Sequence, residues 1–212
     1  SMRNRRQIAM RSARRRVAQA VKRMGDVLLA LAGLFILSPL MLAAVLAIMS
    51  DSKGPIIFRQ QRVGFRGRKF WVYKFRSMSM DAGRAGPVST LTSAHVTRVG
   101  RLLRMSSLDE LPQLLNVVKG DMSLVGPRPL LPGTIRDSEA RRHEMRPWCT
   151  GMPVISGRQA IDWDERMRLD LWYVDNWSLW LDVTIMLKTV PVILSRSNVY
   201  NANGETPVRP AL

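Results

Sequence analysis

Asp109 and Glu110 stand side by side in the stretch Ser107-Leu-Asp-Glu-Leu-Pro-Gln113, in a 212-residue chain with 33 lysines and arginines against 16 acids. Two adjacent carboxylates amid such positive charge suit phosphoryl transfer. A carboxylate can bind Mg²⁺, which prefers oxygen ligands and shares itself with phosphate oxygens. It can also be the nucleophile and form an acyl phosphate. Arginines and the metal would then neutralise charge on the transferring group. The chain has no P-loop and no kinase signature, so a nucleoside triphosphate is poorly supported as phosphoryl donor. The stretch reads as a helix start in two frames. Ser107 with Glu110 makes a capping box; alternatively Asp109 is the cap and Pro112 falls in the first turn, where its missing N–H costs little. In both frames the acids sit at the positive end of the helix dipole, which favours the ionised carboxylates and a phosphate beside them.

Four cations elsewhere in the chain, Lys74, Arg76, Arg104 and Arg128, have types that suit phosphate. Ile56–Phe58 and Phe70–Phe75 read as short strands joined through Gly64, Gly67 and a basic turn. Alternation puts Trp71, Tyr73 and Phe75 on one face, expected to be core, and Lys74 and Arg76 on the other, where they could meet phosphate. Residues 98–105 read as a helix leading to the dyad, with Arg104 five residues before Asp109. Gly126-Pro-Arg-Pro129 is a stiff element. Its prolines fix their own φ angles and extend the residues before them, so Arg128 loses little entropy in a bidentate phosphate contact. Between strand and helix, residues 77–97 are rich in Ser, Thr, Gly and Ala and read as a loop able to close over a site.

The formal charge of +17 calls for an anionic partner: nucleic acid, an anionic membrane surface or phosphorylated substrates. One cysteine excludes an internal disulfide framework, and that cysteine with two histidines argues against a zinc site. Residues 3–23 hold nine Lys and Arg and no acid, as a juxtamembrane polybasic segment would. Val27 to Ser50 then runs 24 positions without a charge, enough for about 36 Å of helix. Ser38-Pro39 interrupts it; proline removes a helix hydrogen bond, and the Ser38 hydroxyl can satisfy part of the freed backbone. Both flanks are basic. The positive-inside tendency wants both on the cytoplasmic side, which a straight span cannot provide and a helix broken at Ser38-Pro39 can. A re-entrant hairpin is therefore favoured over a kinked span.

Beyond the stiff element, residues 136–146 read as a charged helix ended by Pro147, and 147–160 as a Gly/Pro loop carrying Arg158. Residues 163–176 read as a helix. The apolar stretch from Trp177 to Leu194 reads as amphipathic, either core or lipid interface, with its tryptophans favouring the interface for part of it. A polar tail closes the chain. The expected fold is α+β, mainly helical: a basic arm (1–23), a re-entrant membrane helix (24–50), a catalytic domain with a small β-hairpin and interfacial helices (51–196), and a tail (197–212). A non-catalytic membrane-anchored basic protein binding anionic lipid or nucleic acid is the alternative that charge alone permits. The chain shows no nucleic-acid motif, and its cations are spread among membrane signals, so nucleic acid is not the expected partner.

Taken together, Lys22-Arg23 with Asp26, Ser38-Pro39, Gly54-Pro-Ile-Ile-Phe58, Gln61-Arg-Val-Gly64, Lys74-Phe-Arg-Ser-Met78, Ser107–Gln113, Gly120-Asp-Met-Ser123, Gly126–Pro129 and Trp172-Tyr-Val-Asp-Asn-Trp-Ser178 resemble the monotopic phosphoglycosyl transferases, or bacterial sugar transferases, in their small form, essentially the catalytic domain alone. The resemblance implies transfer of a sugar-1-phosphate from a UDP-sugar to polyprenyl phosphate, giving a polyprenyl-diphospho-sugar and UMP, as the first membrane step of bacterial glycan assembly. It implies Asp109 as the nucleophile that holds the phosphosugar covalently, and Glu110, with Asp109 beside it, at Mg²⁺. Lys74, Arg104, Arg128 and Arg158 are the implied phosphate or substrate contacts, and Ser38-Pro39 the re-entrant break. The implied location is the bacterial inner membrane, on anionic lipid, with the catalytic domain on the cytoplasmic face. One departure stands out: where the family usually reads Arg-Pro-Gly and later Thr-Gly-Trp, this chain has Arg146-Pro-Trp-Cys-Thr-Gly-Met152-Pro153.

Overall fold

The computed structural model describes residues 2–79, 95–133, 137–157 and 161–194, with side chains of the first helix described from residue 15. The basic arm and the apolar segment begin as one helix, α1 (Met2–Ile36), followed after Leu37 by α2 (Ser38–Asp51). The two axes bend by 59° between the 15–36 and 38–51 segments. Pro39 explains the break: it lacks the N–H that would reach the Phe35 carbonyl, and the Ser38 hydroxyl donates to that carbonyl at 2.7 Å instead. No single helix among the described residues is long and apolar enough to cross a membrane; the bent pair together meets that length and composition.

β1 (Ile57–Val63) and β2 (Lys69–Phe75) form an antiparallel hairpin, with Phe58 opposite Lys74 and Arg62 opposite Phe70. The predicted hairpin is present; of the expected core face Phe75 is buried, but Trp71 and Tyr73 are not, and the opposite face is buried as well. Phe70 and Val72 are buried, whereas Trp71 is 52% exposed. The reason is the neighbour: Phe70 and Val72 pack with Ala30 of α1 and with Val117 and Met122, so the Lys74 face turns inward. Arg76 is not aimed at phosphate. It is buried, and donates to the carbonyls of Pro55 (2.8 Å) and Ser52 (2.6 Å). The ends of the predicted 77–97 loop are tied by a Met78–Val96 bridge, with the Ser79 N–H donating to the His95 carbonyl at 2.8 Å; residues 80–94 lie outside the described residues.

α3 (Arg98–Ser106) is capped by Thr97, whose hydroxyl accepts from the Gly100 N–H. A 3₁₀ turn (Leu108–Glu110) and α4 (Gln113–Lys119) follow, and α4 ends at Gly120 with φ +98°, the left-handed C-cap that glycine adopts freely. β3 (Ser123–Val125) pairs in parallel with β4 (Trp148–Thr150). The charged helix expected before Pro147 is present as a 3₁₀ helix (Asp137–Glu144). α5 (Met152–Ile155) is one turn inside the predicted Gly/Pro loop; α6 (Trp163–Asn176) and α7 (Leu179–Leu194) complete the described chain. The architecture is mainly helical with a small antiparallel hairpin, as expected. The predicted tail lies outside the described residues.

A closed polar cluster joins α1 to the domain. Lys22 Nζ donates to Asp182 Oδ2 at 2.7 Å, and Asp182 also accepts from the Tyr173 hydroxyl (2.6 Å) and Trp177 Nε1 (3.1 Å). Asp26 accepts from the Ser123 hydroxyl at 2.7 Å and the Leu124 N–H at 3.3 Å. Arg23 donates to the Val117 and Val118 carbonyls, satisfying the C-terminal end of α4. Burial and then Asp182 push the Tyr173 phenol far above its usual range, so it stays a donor. On the outside, Phe35, Ile36, Leu42 and Leu46 of the bent pair and Trp180, Leu187 and Val190 of α7 are exposed.

Candidate active site

The dyad sits on a turn, and neither helix-cap frame is realised. Ser107 is the left-handed C-cap of α3 (φ 58°), and its side chain does not cap the following turn. A non-glycine residue costs on the order of 1 kcal/mol in that conformation. Asp109 and Glu110 occupy the 3₁₀ turn, and Pro112 rather than Asp109 stands at the N-cap of α4. Leu108 and Leu111 flank the acids and pack with Leu103, Phe75 and, from α2, Ala44 and Ile48. The apolar flanks thus seat the dyad between the hairpin and the second arm of the bent pair.

Asp109 is buried, at 9% exposure. Burial raises its pKa to about 6; Glu110 pushes the same way, while Lys74, Arg104 and its own N–H oppose. Lys74 Nζ meets Glu110 Oε1 at 2.6 Å. Arg104 lies within electrostatic reach of Asp109, and its Nη1 is buried without a hydrogen-bond partner. Such a donor is costly to leave unmet and suits an incoming anion.

A second group of cations stands close by. Arg128 interacts electrostatically with Glu110 and Asp170, and burial lowers its pKa. Gly126, just before it, is required: a Cβ there would come within 2.2 Å of the Arg146 carbonyl oxygen. Arg62 shares the Lys74 face of the hairpin. Burial and then Arg128 lower its pKa to about 10, against the pull of Glu110. Arg62 was not among the predicted site residues; the hairpin register, which puts Phe58, Gln60 and Arg62 on the Lys74 face, is the signal that finds it. Arg142, Arg166 and Asp170, all buried, complete the group behind Arg128. Trp148, at the departure from the family pattern, has its ring 5.8 Å from the Arg128 guanidinium carbon. Of the predicted contacts, Lys74, Arg104 and Arg128 are gathered around the dyad; Arg158 lies outside the described residues.

No group of three or more His, Cys, Asp or Glu gathers to cage a metal among the described residues. Two carboxylates on one turn fit an ion such as Mg²⁺, which takes one or two carboxylates and completes its shell with water and substrate phosphate.

The family profile described as "Bacterial sugar transferase" matches residues 17–196. An uncharacterized sugar transferase of Bacillus subtilis is 41% identical over 192 residues, covering 89% of this chain and 95% of the relative. The undecaprenyl-phosphate galactose phosphotransferase of Salmonella typhimurium is 39% identical over 205 residues, 88% of this chain but 43% of the relative. The UDP-glucose:undecaprenyl-phosphate glucose-1-phosphate transferase of Caulobacter vibrioides is 42% identical over 193 residues, 84% and 72% respectively. The chain thus spans nearly all of one relative and less than half of another. With the match running from the basic arm through α7, this protein belongs to the bacterial sugar transferase family.

Proposed function

We propose that this chain transfers a sugar-1-phosphate from a UDP-sugar to polyprenyl phosphate through a covalent aspartyl intermediate. The observation that carries the reading is Asp109: a carboxylate buried on a turn beside Glu110, with Lys74 and the uncommitted Arg104 N–H within reach. An Asp109 oxygen attacks the phosphorus bonded to the sugar. The bond from that phosphorus to the bridging oxygen breaks, and UMP leaves with the electron pair. A polyprenyl phosphate oxygen then attacks the same phosphorus and expels the Asp109 carboxylate. Burial keeps Asp109 poorly solvated and water away from the acyl phosphate. Arg104, Arg128 and Lys74 hold the phosphates, and Lys74 keeps Glu110 oriented. Glu110 and Asp109 would hold Mg²⁺, which when bound supplies neutralising charge at phosphate oxygens.

The bent α1–α2 pair is re-entrant in this reading, with both basic flanks on the cytoplasmic side and the exposed apolar faces of the pair and of α7 in lipid. The polybasic arm rests on anionic headgroups.

The test uses purified protein with Mg²⁺, undecaprenyl phosphate and a panel of UDP-glucose, UDP-galactose and UDP-N-acetylhexosamines. The expected products are UMP and a lipid-linked diphospho-sugar in equal amounts, with turnover stopped by chelation of Mg²⁺. Release of UDP would contradict sugar-phosphate transfer, and a rate indifferent to chelator would remove the metal. Cysteines placed before Arg23 and after Lys53 should label from the same membrane face; opposite faces would establish a true span.

A further inference from the structure

Arg128 is bonded at both ends of its own peptide unit. Its N–H donates to Asp170 Oδ2 at 3.1 Å, and its carbonyl accepts from Arg142 Nη2 at 2.7 Å. The same Arg142 nitrogen also pairs with that Asp170 oxygen, which closes the ring. Asp170 comes from α6 and Arg142 from the 3₁₀ helix; they are 0% and 1% exposed. Pro127 and Pro129 stiffen the chain on either side, and the Trp148 ring lies beside the guanidinium. Burying an ion pair is a poor way to gain stability. Desolvation offsets most of the attraction, and an apolar pair of similar volume is often as stable or more so. The pair does supply a fixed main chain under one particular arginine.

We propose that Asp170 and Arg142 are positioning residues: they clamp the backbone of Arg128 so that its guanidinium is held toward the phosphates of the donor. The inference rests on the reading of Arg128 as a phosphate contact. The clamp explains why a cation surrounded by Arg62, Arg142 and Arg166 does not swing away from its neighbours: its Cα is held by two buried bonds. It also separates two jobs within one cluster, since Arg128 touches substrate and the other two act through it.

The test is a double-mutant cycle. Asp170→Leu with Arg142→Met removes both charges together and keeps roughly the side-chain volume, so neither ion is orphaned. Thermal unfolding, kcat and KM for the UDP-sugar that turns over, and the affinity for UDP by calorimetry are measured in the wild-type and Arg128→Ala backgrounds. In the wild-type background kcat/KM should fall about 10–100-fold and UDP affinity should weaken, with Tm unchanged or higher. In the Arg128→Ala background the same pair of changes should cost less than about 2-fold. Wild-type kcat/KM in the apolar pair, or losses that multiply in the combined variant, would overturn the proposal. Should the apolar pair fail to fold, Asp170→Asn keeps an acceptor for the Arg128 N–H but removes the ion pair, and its cycle with Arg128→Ala is read the same way. Full activity and full UDP affinity in Arg128→Ala would instead overturn the role of Arg128 itself, and the clamp's purpose with it.

Discussion

Two clusters of charge, Lys22–Asp26–Asp182 and the one around Asp109, are finished differently. In the Lys22–Asp26–Asp182 cluster every carboxylate oxygen has a donor: a lysine, a phenol, an indole, a hydroxyl or a backbone N–H. Around Asp109 the account is left open. Burial raises its pKa to about 6, Arg104 nearby keeps a buried N–H with no partner, and Lys74 donates to Glu110. The closed cluster joins α1 to the rest of the domain. In the proposed function the cluster around Asp109 receives an anion and Asp109 acts as the nucleophile. Unmet buried polar atoms are not confined to the dyad, since Arg76 Nε, Arg142 Nε and Nη1 and Asp170 Oδ1 also lack a partner; what distinguishes the site is an unmet arginine N–H beside two adjacent carboxylates.

The comparison can be broken at its most sensitive point by Asp109→Asn. Turnover should fall by at least about 10³-fold. The folded state favours the protonated acid, because the native pKa of about 6 lies above the ordinary 3.8. Stability is therefore lost as pH rises through that window, on the order of 3 kcal/mol by neutral pH. Asp109→Asn removes this cost, so Tm at pH 7.5 should rise by roughly 6–12 °C at about 2–4 °C per kcal/mol. Asp182→Ala should do the reverse: it strands Lys22 and Tyr173 and costs about 3–5 kcal/mol, while kcat per folded molecule is kept. A variant of Asp182 that keeps its Tm but loses kcat would erase the distinction.

Lys74→Met sharpens the open side. Lys74 lowers the Asp109 pKa and holds Glu110, so kcat/KM should drop about 10²-fold. If ionised Asp109 is the nucleophile, as proposed, the acid limb of the pH profile lies near 6 in the wild type and moves to higher pH in the variant. A limb that stays put, or moves down, would separate Lys74 from Asp109. Ser123→Ala is the smallest change, on the closed side. It removes one hydrogen bond to Asp26, costing about 1 kcal/mol, and kcat should not move.

Local signals carried much of this into the sequence. Ser38-Pro39 announces the break because proline's missing N–H is a property of one residue, and the bend falls there. What was not legible depends on neighbours distant in sequence. The alternation of β2 is visible, but which of its residues are core depends on distant neighbours: α1 and α4 cover Phe70 and Val72, α2 and α3 cover Phe75, and Trp71 stays exposed. A capping box at Ser107 was a sound local reading, overridden by α3, which ends on that same residue in a left-handed conformation. Asp170 and Asp182 look like ordinary helix acids until Arg142, Lys22 and Tyr173 arrive from other elements. Arg76 matched a phosphate contact by type, and lost that role to two carbonyls at the end of α2 and beyond.

The most direct test of Asp109 as nucleophile is the intact mass of the protein after incubation with Mg²⁺ and the UDP-sugar panel without lipid acceptor. The account predicts a sugar-phosphate adduct formed with release of UMP, absent in Asp109→Asn and discharged by undecaprenyl phosphate. Product formation on adding the acceptor with no adduct beforehand, or an adduct that persists in Asp109→Asn, would contradict it.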